Sequence, residues 1–184
     1  MYNHPTWSCQ SYPDYAPLKG LWGMELRNTE CCCVGHNENN FRVYKDLLTL
    51  GNVVYPLGTD DTHRPRALGQ SWIKVGAADL CYDSVIQALE KGDFYMSCGP
   101  EITDLYVEGN VLKVTCSDAK QINMESHGRF AKVIMAEDAP LREAEFPLDT
   151  FFEKADSHAF IYITVTAEDG SYATTRPYYL KDLI

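Results

Sequence analysis

Val53-Val54-Tyr55-Pro56-Leu57-Gly58-Thr59-Asp60-Asp61-Thr62-His63 carries the reading of the whole N-terminal half. Val53 to Gly58 read as a buried strand, despite the proline, and the strand runs straight into a polar turn bearing two carboxylates and an imidazole. Just upstream, Asn40 can cap a helix in which Phe41, Tyr44, Leu47, Leu48 and Leu50 share one face, with Gly51 as its stop. Downstream, a second helix is expected over about 83–91, with Val85, Ile86 and Leu89 inward. Asp83 favours its start and Gly92 its end. Further upstream, Gly23-Met24-Glu25-Leu26 reads as a short strand ending at a polar loop, 28–40. Strand, helix, strand, helix is an α/β alternation.

After Gly99-Pro100 the apolar period changes from 3.6 to 2. Segments 104–108 and 111–116 flank the turn Gly109-Asn110 and read as a hairpin. Strands are expected at 121–125 and 129–136. Segment 159–167 sets Ile161, Ile163 and Val165 against Phe160, Tyr162 and Thr164, and Asp169-Gly170 turns it into a last strand over 172–180. Short strands at this spacing imply a small antiparallel sandwich. The expected organisation is therefore two domains, 1–99 (α/β) and 100–184 (all-β).

The chain of 184 residues has 16 Lys and Arg against 26 Asp and Glu, a formal net charge of −10. Binding to a phosphate backbone depends on clustered cations, so no nucleic-acid partner is expected. Acidity fits a site that collects divalent cations, and an ordinary solvated surface gives the same number. No window approaches the ~18 uninterrupted apolar residues of a membrane span, so no membrane partner is expected. The seven cysteines, at 9, 31, 32, 33, 81, 98 and 116, are odd in number and three are consecutive. Adjacent cysteines rarely meet disulfide geometry, which implies reduced thiols and a cytoplasmic chain, most of them acting as small buried apolar groups. Cys31-Cys32-Cys33 could form a soft metal site, but no partner pair stands at zinc-finger spacing. The opening Met1-Tyr2-Asn3-His4-Pro5 has neither the basic nor the apolar region of a secretory signal. Tyr2, Trp7, Tyr12, Tyr15, Leu21 and Trp22 make the first segment aromatic and packed, as if the chain began inside a larger fold.

Chemistry concentrates at Asp61-Thr62-His63. A carboxylate and an imidazole two residues apart, directly after a buried strand, can both face the mouth of an α/β sheet, where ligands gather. A hard oxygen and a borderline nitrogen suit Zn, Mn or Fe. A solvated turn would have the same sequence, and Asp60 is expected to face the other way. His4, before Pro5, and Glu25, at a strand end, are ambiguous singly. Their order gives them weight: each stands at or near an expected strand end.

That order, Tyr2-Asn3-His4-Pro5-Thr6-Trp7-Ser8, Gly23-Met24-Glu25-Leu26-Arg27-Asn28 and Gly58-Thr59-Asp60-Asp61-Thr62-His63, resembles the C-terminal half of the PHP (polymerase and histidinol phosphatase) superfamily. Gly69-Gln70-Ser71-Trp72-Ile73, Ile86-Gln87-Ala88-Leu89-Glu90-Lys91-Gly92 and Tyr95-Met96-Ser97-Cys98-Gly99-Pro100 look like its two-domain bacterial branch, a phosphoesterase domain followed by a β-rich domain. The resemblance implies part of a distorted (β/α) barrel with a trailing β-sandwich. It implies His4, Asp61 and His63 as metal ligands, and Glu25 as a ligand or a group behind the ligands. It also implies divalent Mn, Zn or Fe as cofactor and a small phosphorylated substrate, hydrolysed by metal-activated water.

The family's opening His-x-His motif has no counterpart upstream of His4, and His36, His127 and His158 do not replace it. A (β/α) barrel also needs ~200 residues, more than 1–99 supply. The expectation is a C-terminal fragment, weakly active or inactive alone, that self-associates through an exposed barrel edge. A reading of another class makes the chain a non-catalytic binding module whose sandwich presents Tyr106, Tyr162, Tyr172, Tyr178 and Tyr179. A third, redox or zinc chemistry at Cys31-Cys32-Cys33, ranks below both.

Overall fold

The computed structural model describes residues 1–152, 159–179 and 183. The chain divides into two compact units, Met1–Cys98 and Gly99–Ile184. No described helix is long and apolar enough to cross a membrane.

The first unit contains α1 (Tyr12–Tyr15), β1 (Gly23–Asn28), α2 (Thr29–Cys33), α3 (Phe41–Thr49), β2 (Tyr55–Thr59), β3 (Trp72–Val75), α4 (Tyr82–Lys91) and β4 (Phe94–Ser97). β1 and β2 pair in parallel, from Gly23 opposite Tyr55 to Asn28 opposite Thr59. On the other edge of β1, Tyr2 forms a parallel bridge to Met24: its N–H donates to Gly23 O, and Glu25 N–H donates to Tyr2 O. α3 buries Tyr44, Leu47 and Leu48. With Met24, Leu26, Val54 and Leu57 these residues form the core.

The expected (β/α) barrel does not form. The structure is mostly β, 39 % strand and 19 % helix, and among the described residues there is no barrel of α/β type. Alternation in sequence did not dictate parallel pairing. β3 and β4 flank α4, yet they run antiparallel, with Trp72 opposite Ser97 and Val75 opposite Phe94. A parallel barrel needs each helix to return the chain for a further parallel strand, and α4 does not do so. Within this unit, parallel pairing is confined to the Tyr2 bridge and the β1–β2 ladder.

Two local details differ from expectation. The 28–40 loop contains α2, whose start is capped by Asn28 accepting from Cys31 N–H at 3.0 Å. Asn40, expected to cap α3, makes no such bond. Its side-chain amide instead donates to Glu25 O and to Glu38 Oε2.

α4 ends at Gly92, which is left-handed with φ +72°. A Cβ there would also run into the ring of Tyr55, which packs edge-on against Trp22 and Phe94 at 5.9 and 5.6 Å. Gly92→Ala is expected to cost about 2–3 kcal/mol in urea unfolding, combining backbone strain with overpacking. A change under about 0.5 kcal/mol would contradict this packing.

The second unit consists of antiparallel strands. β5 (Ile102–Glu108), β6 (Val111–Ala119) and β9 (Leu141–Pro147) form one sheet in the order β5-β6-β9. β7 (Gln121–Ser126), β8 (Ala131–Met135), β10 (Phe160–Thr166) and β11 (Tyr172–Thr175) pair in the order β8-β7-β10-β11, and β12 (Tyr178–Tyr179) also pairs with β10. A single helical turn, α5 (Asp149–Phe152), follows β9. The strand expected over 172–180 is interrupted at Arg176-Pro177, where proline has no N–H for a ladder. Leu180, the end of that expectation, and His158 lie outside the described residues. β10 is buried on both faces from Phe160 to Val165, so its alternation does not separate a wet face from a dry one. Of the five tyrosines considered for a binding surface, Tyr162 and Tyr172 are buried, Tyr178 and Tyr179 half-buried and Tyr106 exposed.

Candidate functional site

The site lies where β1 and β2 end side by side. Asn28 closes β1 opposite Thr59 of β2, and the chain then enters Asp60-Asp61-Thr62-His63. A strand of period 2 would aim Glu25 and Asn28 to opposite faces. The ladder register slips between Glu25 and Arg27, and this bulge turns both side chains to the same side. Asn28 Nδ2 consequently donates to Glu25 Oε2 at 3.1 Å and to Asp61 Oδ2 at 3.0 Å.

Glu25 is only 3 % exposed. Its Oε2 accepts the His4 N–H at 2.8 Å as well as Asn28, and its Oε1 accepts Thr59 Oγ1 at 3.0 Å. A buried carboxylate with three donors ties together the first segment, β1 and β2. Its oxygens are engaged in fixing where His4 and, through Asn28, Asp61 stand.

His4, Asp61 and His63 line one cavity of about 400 Å³ together with Trp7, Glu30, Cys31, Val34 and Arg64. Two of these residues have left-handed backbone, His4 at φ +27° and Asp61 at φ +47°. Such conformations cost of order 1–3 kcal/mol and persist where the surroundings impose them, typically at functional sites. Here the His4 N–H is held by Glu25 and the Asp61 carboxylate by Asn28. Asp60 is spent differently. It accepts from the N–H groups of Gly69, Gln70 and Ser71 at 2.5–2.9 Å and so fixes the following loop.

Asp61 Oδ1 stands 3.4 Å from His63 Nε2, with the two side chains 39 % and 69 % exposed. An ion pair so exposed is worth only ~0–1 kcal/mol, which does not repay the strain at Asp61. The same separation is what two donors, each ~2.1 Å from one tetrahedral ion, would have. His4 Nδ1 is held by Ser8 Oγ at 3.0 Å, which leaves Nε2 as the ring nitrogen available to a ligand. Glu30, 6 % exposed, pairs through Oε1 with Arg64 Nη1 at 2.9 Å, while its Oε2 has no hydrogen-bond partner among the described residues. An orphaned, buried carboxylate oxygen on the cavity wall is costly unless something positive meets it. Among the described residues no three His, Cys, Asp or Glu side chains close around a single point. Asp61 and His63 alone stand at a spacing that a borderline divalent ion could bridge, with His4 lining the same cavity.

Compared with protein-family models, with curated proteins and with solved structures, the chain matches none.

Cys31 bears on the thiol reading. Burial first, then the negative charges of Glu38, Asp61 and Glu25, push its thiol up to about 11 from 9.0. Burial therefore favours the neutral thiol at pH 7. The fold favours the protonated form, so its contribution to stability is complete below pH 9. Between pH 9 and about 11 the unfolded chain has released a proton that the folded chain retains, and stability falls. Cys31→Ala is expected to flatten the loss of urea stability over that range. Cys116, raised by burial to about 11, contributes a second, independent part of the slope. An identical slope in the variant would show that Cys31 ionises freely.

Sequence reasoning missed Trp7, Asn28, Glu30 and Arg64. The opposite charges of Glu30 and Arg64 were a usable signal only once α2 and the segment after β2 were known to meet.

Proposed function

We propose that the first unit binds a divalent cation between Asp61, His63 and His4 and acts on a small phosphoester. One observation carries this reading: His4 and the distant pair Asp61 and His63 line a single cavity, in which His4 and Asp61 have left-handed backbone. A bound divalent ion supplies Lewis acidity to water and to phosphoryl oxygens. The chain's own residues supply the rest. Asn28 holds the Asp61 carboxylate through Oδ2, leaving Oδ1 turned to His63. Ser8 fixes the His4 ring. Arg64 commits one guanidinium nitrogen to Glu30, and among the described residues its others are uncommitted. A guanidinium with open N–H groups on a cavity wall is suited to a phosphoryl oxygen. Hydrolysis of the phosphoester would follow from this placement, with turnover by these three donors slow.

Phosphate binding to the full chain, measured by calorimetry, is expected to strengthen at least ~10-fold when Mn²⁺ is added. The gain should vanish in His63→Ala. Phosphate binding indifferent to Mn²⁺, or unchanged in His63→Ala, would overturn the reading.

A further inference from the structure

The cavity wall exposes two large apolar side chains. Trp7 is 49 % exposed and Val34 44 % exposed, and both line the cavity that also holds Arg64. An exposed tryptophan costs solvation and contributes little to packing, so its position beside strained His4 is informative. The Trp7 indole meets the His4 ring edge-on, with centroids 5.0 Å apart and planes at 73°. The contact orients the indole. Ser8 Oγ holds Nδ1 of the same imidazole, so the indole rests against a ring that is itself held.

The cavity thus offers two unlike surfaces, a guanidinium with uncommitted donors and a fixed indole beside an exposed valine. Its volume of about 400 Å³ lies within the ordinary range for small-ligand sites, roughly 300–1,000 Å³, enough for a phosphoryl group together with a ring. A short aliphatic leaving group would reach the phosphoryl side and leave the indole wet. A planar ring would cover it.

Resting on the phosphoester reading above, we propose that Trp7 is a specificity-determining residue that selects phosphomonoesters whose leaving group is a planar ring. Val34 completes the apolar lip, and Arg64 holds the phosphoryl group. Aromatic contacts of this kind are worth about a tenfold change in affinity.

The experiment compares phenylphosphonate with methylphosphonate, two non-hydrolysable probes, binding to the full chain in the presence of Mn²⁺. Phenylphosphonate is expected to bind about tenfold more tightly to the wild type. Trp7→Ala should bring the two probes to parity by weakening phenylphosphonate alone, and Trp7→Phe should keep most of the preference. Parity in the wild type, with both probes binding, overturns the ring preference and leaves the phosphoester reading standing. A preference that survives in Trp7→Ala overturns the role of Trp7. If neither probe binds the wild type, the phosphoester reading falls and this inference with it.

Discussion

Replacing Glu25 with alanine is expected to lower the unfolding free energy by about 3–5 kcal/mol, the largest loss from any single substitution in the first unit. Three donors would lose their acceptor at once: the His4 N–H, the Asn28 amide and the Thr59 hydroxyl. Two of the residues involved are essentially inaccessible to compensating water, with Asn28 0 % and Glu25 3 % exposed. A buried donor left unsatisfied costs about 1–3 kcal/mol, and the three losses share one cavity, so they will not add in full. Glu25→Gln keeps the shape and one acceptor oxygen and should cost less than the alanine. Urea unfolding of the two variants beside the wild type checks the order. A cost below about 1 kcal/mol for Glu25→Ala would mean that the carboxylate does not hold the first segment to β1 and β2.

Asp61→Asn is expected to separate the site from the fold. Asparagine tolerates the left-handed backbone about as well as aspartate, and its side-chain oxygen can still accept from Asn28. Stability should stay within about 0.5 kcal/mol of the wild type. The carboxylate charge facing His63 is gone, however, and divalent-cation affinity should fall by about 10–100-fold, the scale of losing one ligand's charge at an open site. Thermal unfolding and Mn²⁺ calorimetry on the same preparation read both effects. An Asp61→Asn protein that is markedly less stable yet binds Mn²⁺ as before would reverse the assignment and make Asp61 a structural residue.

What the sequence disclosed, and what it withheld, follows from the range of the forces involved. Helices α3 and α4 were legible because an apolar face and a glycine stop are local signals. The hairpin around Gly109-Asn110 was legible for the same reason, since turn chemistry and period 2 lie within a dozen residues. The strand β9 was passed over because Arg142, Glu143 and Glu145 dominate its composition. Only Ala144 and Phe146 point inward, and two residues make a faint period. The barrel expectation failed at a long-range decision: nothing local in Trp72–Val75 or Phe94–Ser97 states that the two strands run in opposite directions. Asp61 and His63 could be singled out by donor chemistry and by their place after a strand. Asn28 could not, because its partnership with Glu25 depends on a ladder slip that reverses the alternation. Glu30 and Arg64 meet only when two loops meet, and Trp7 reads as one more aromatic until its exposure beside His4 is seen.

The central claim is that His4 and His63 serve one cation, and ring resonances of the two histidines test it most directly. With ¹⁵N-labelled histidine in the full chain, substoichiometric Mn²⁺ is predicted to broaden the His4 and His63 signals together, to a similar extent, through its short-range paramagnetic effect. The same titration of Asp61→Asn should require far more Mn²⁺. Broadening of only one of the two rings, or of neither at stoichiometric Mn²⁺, would contradict the account.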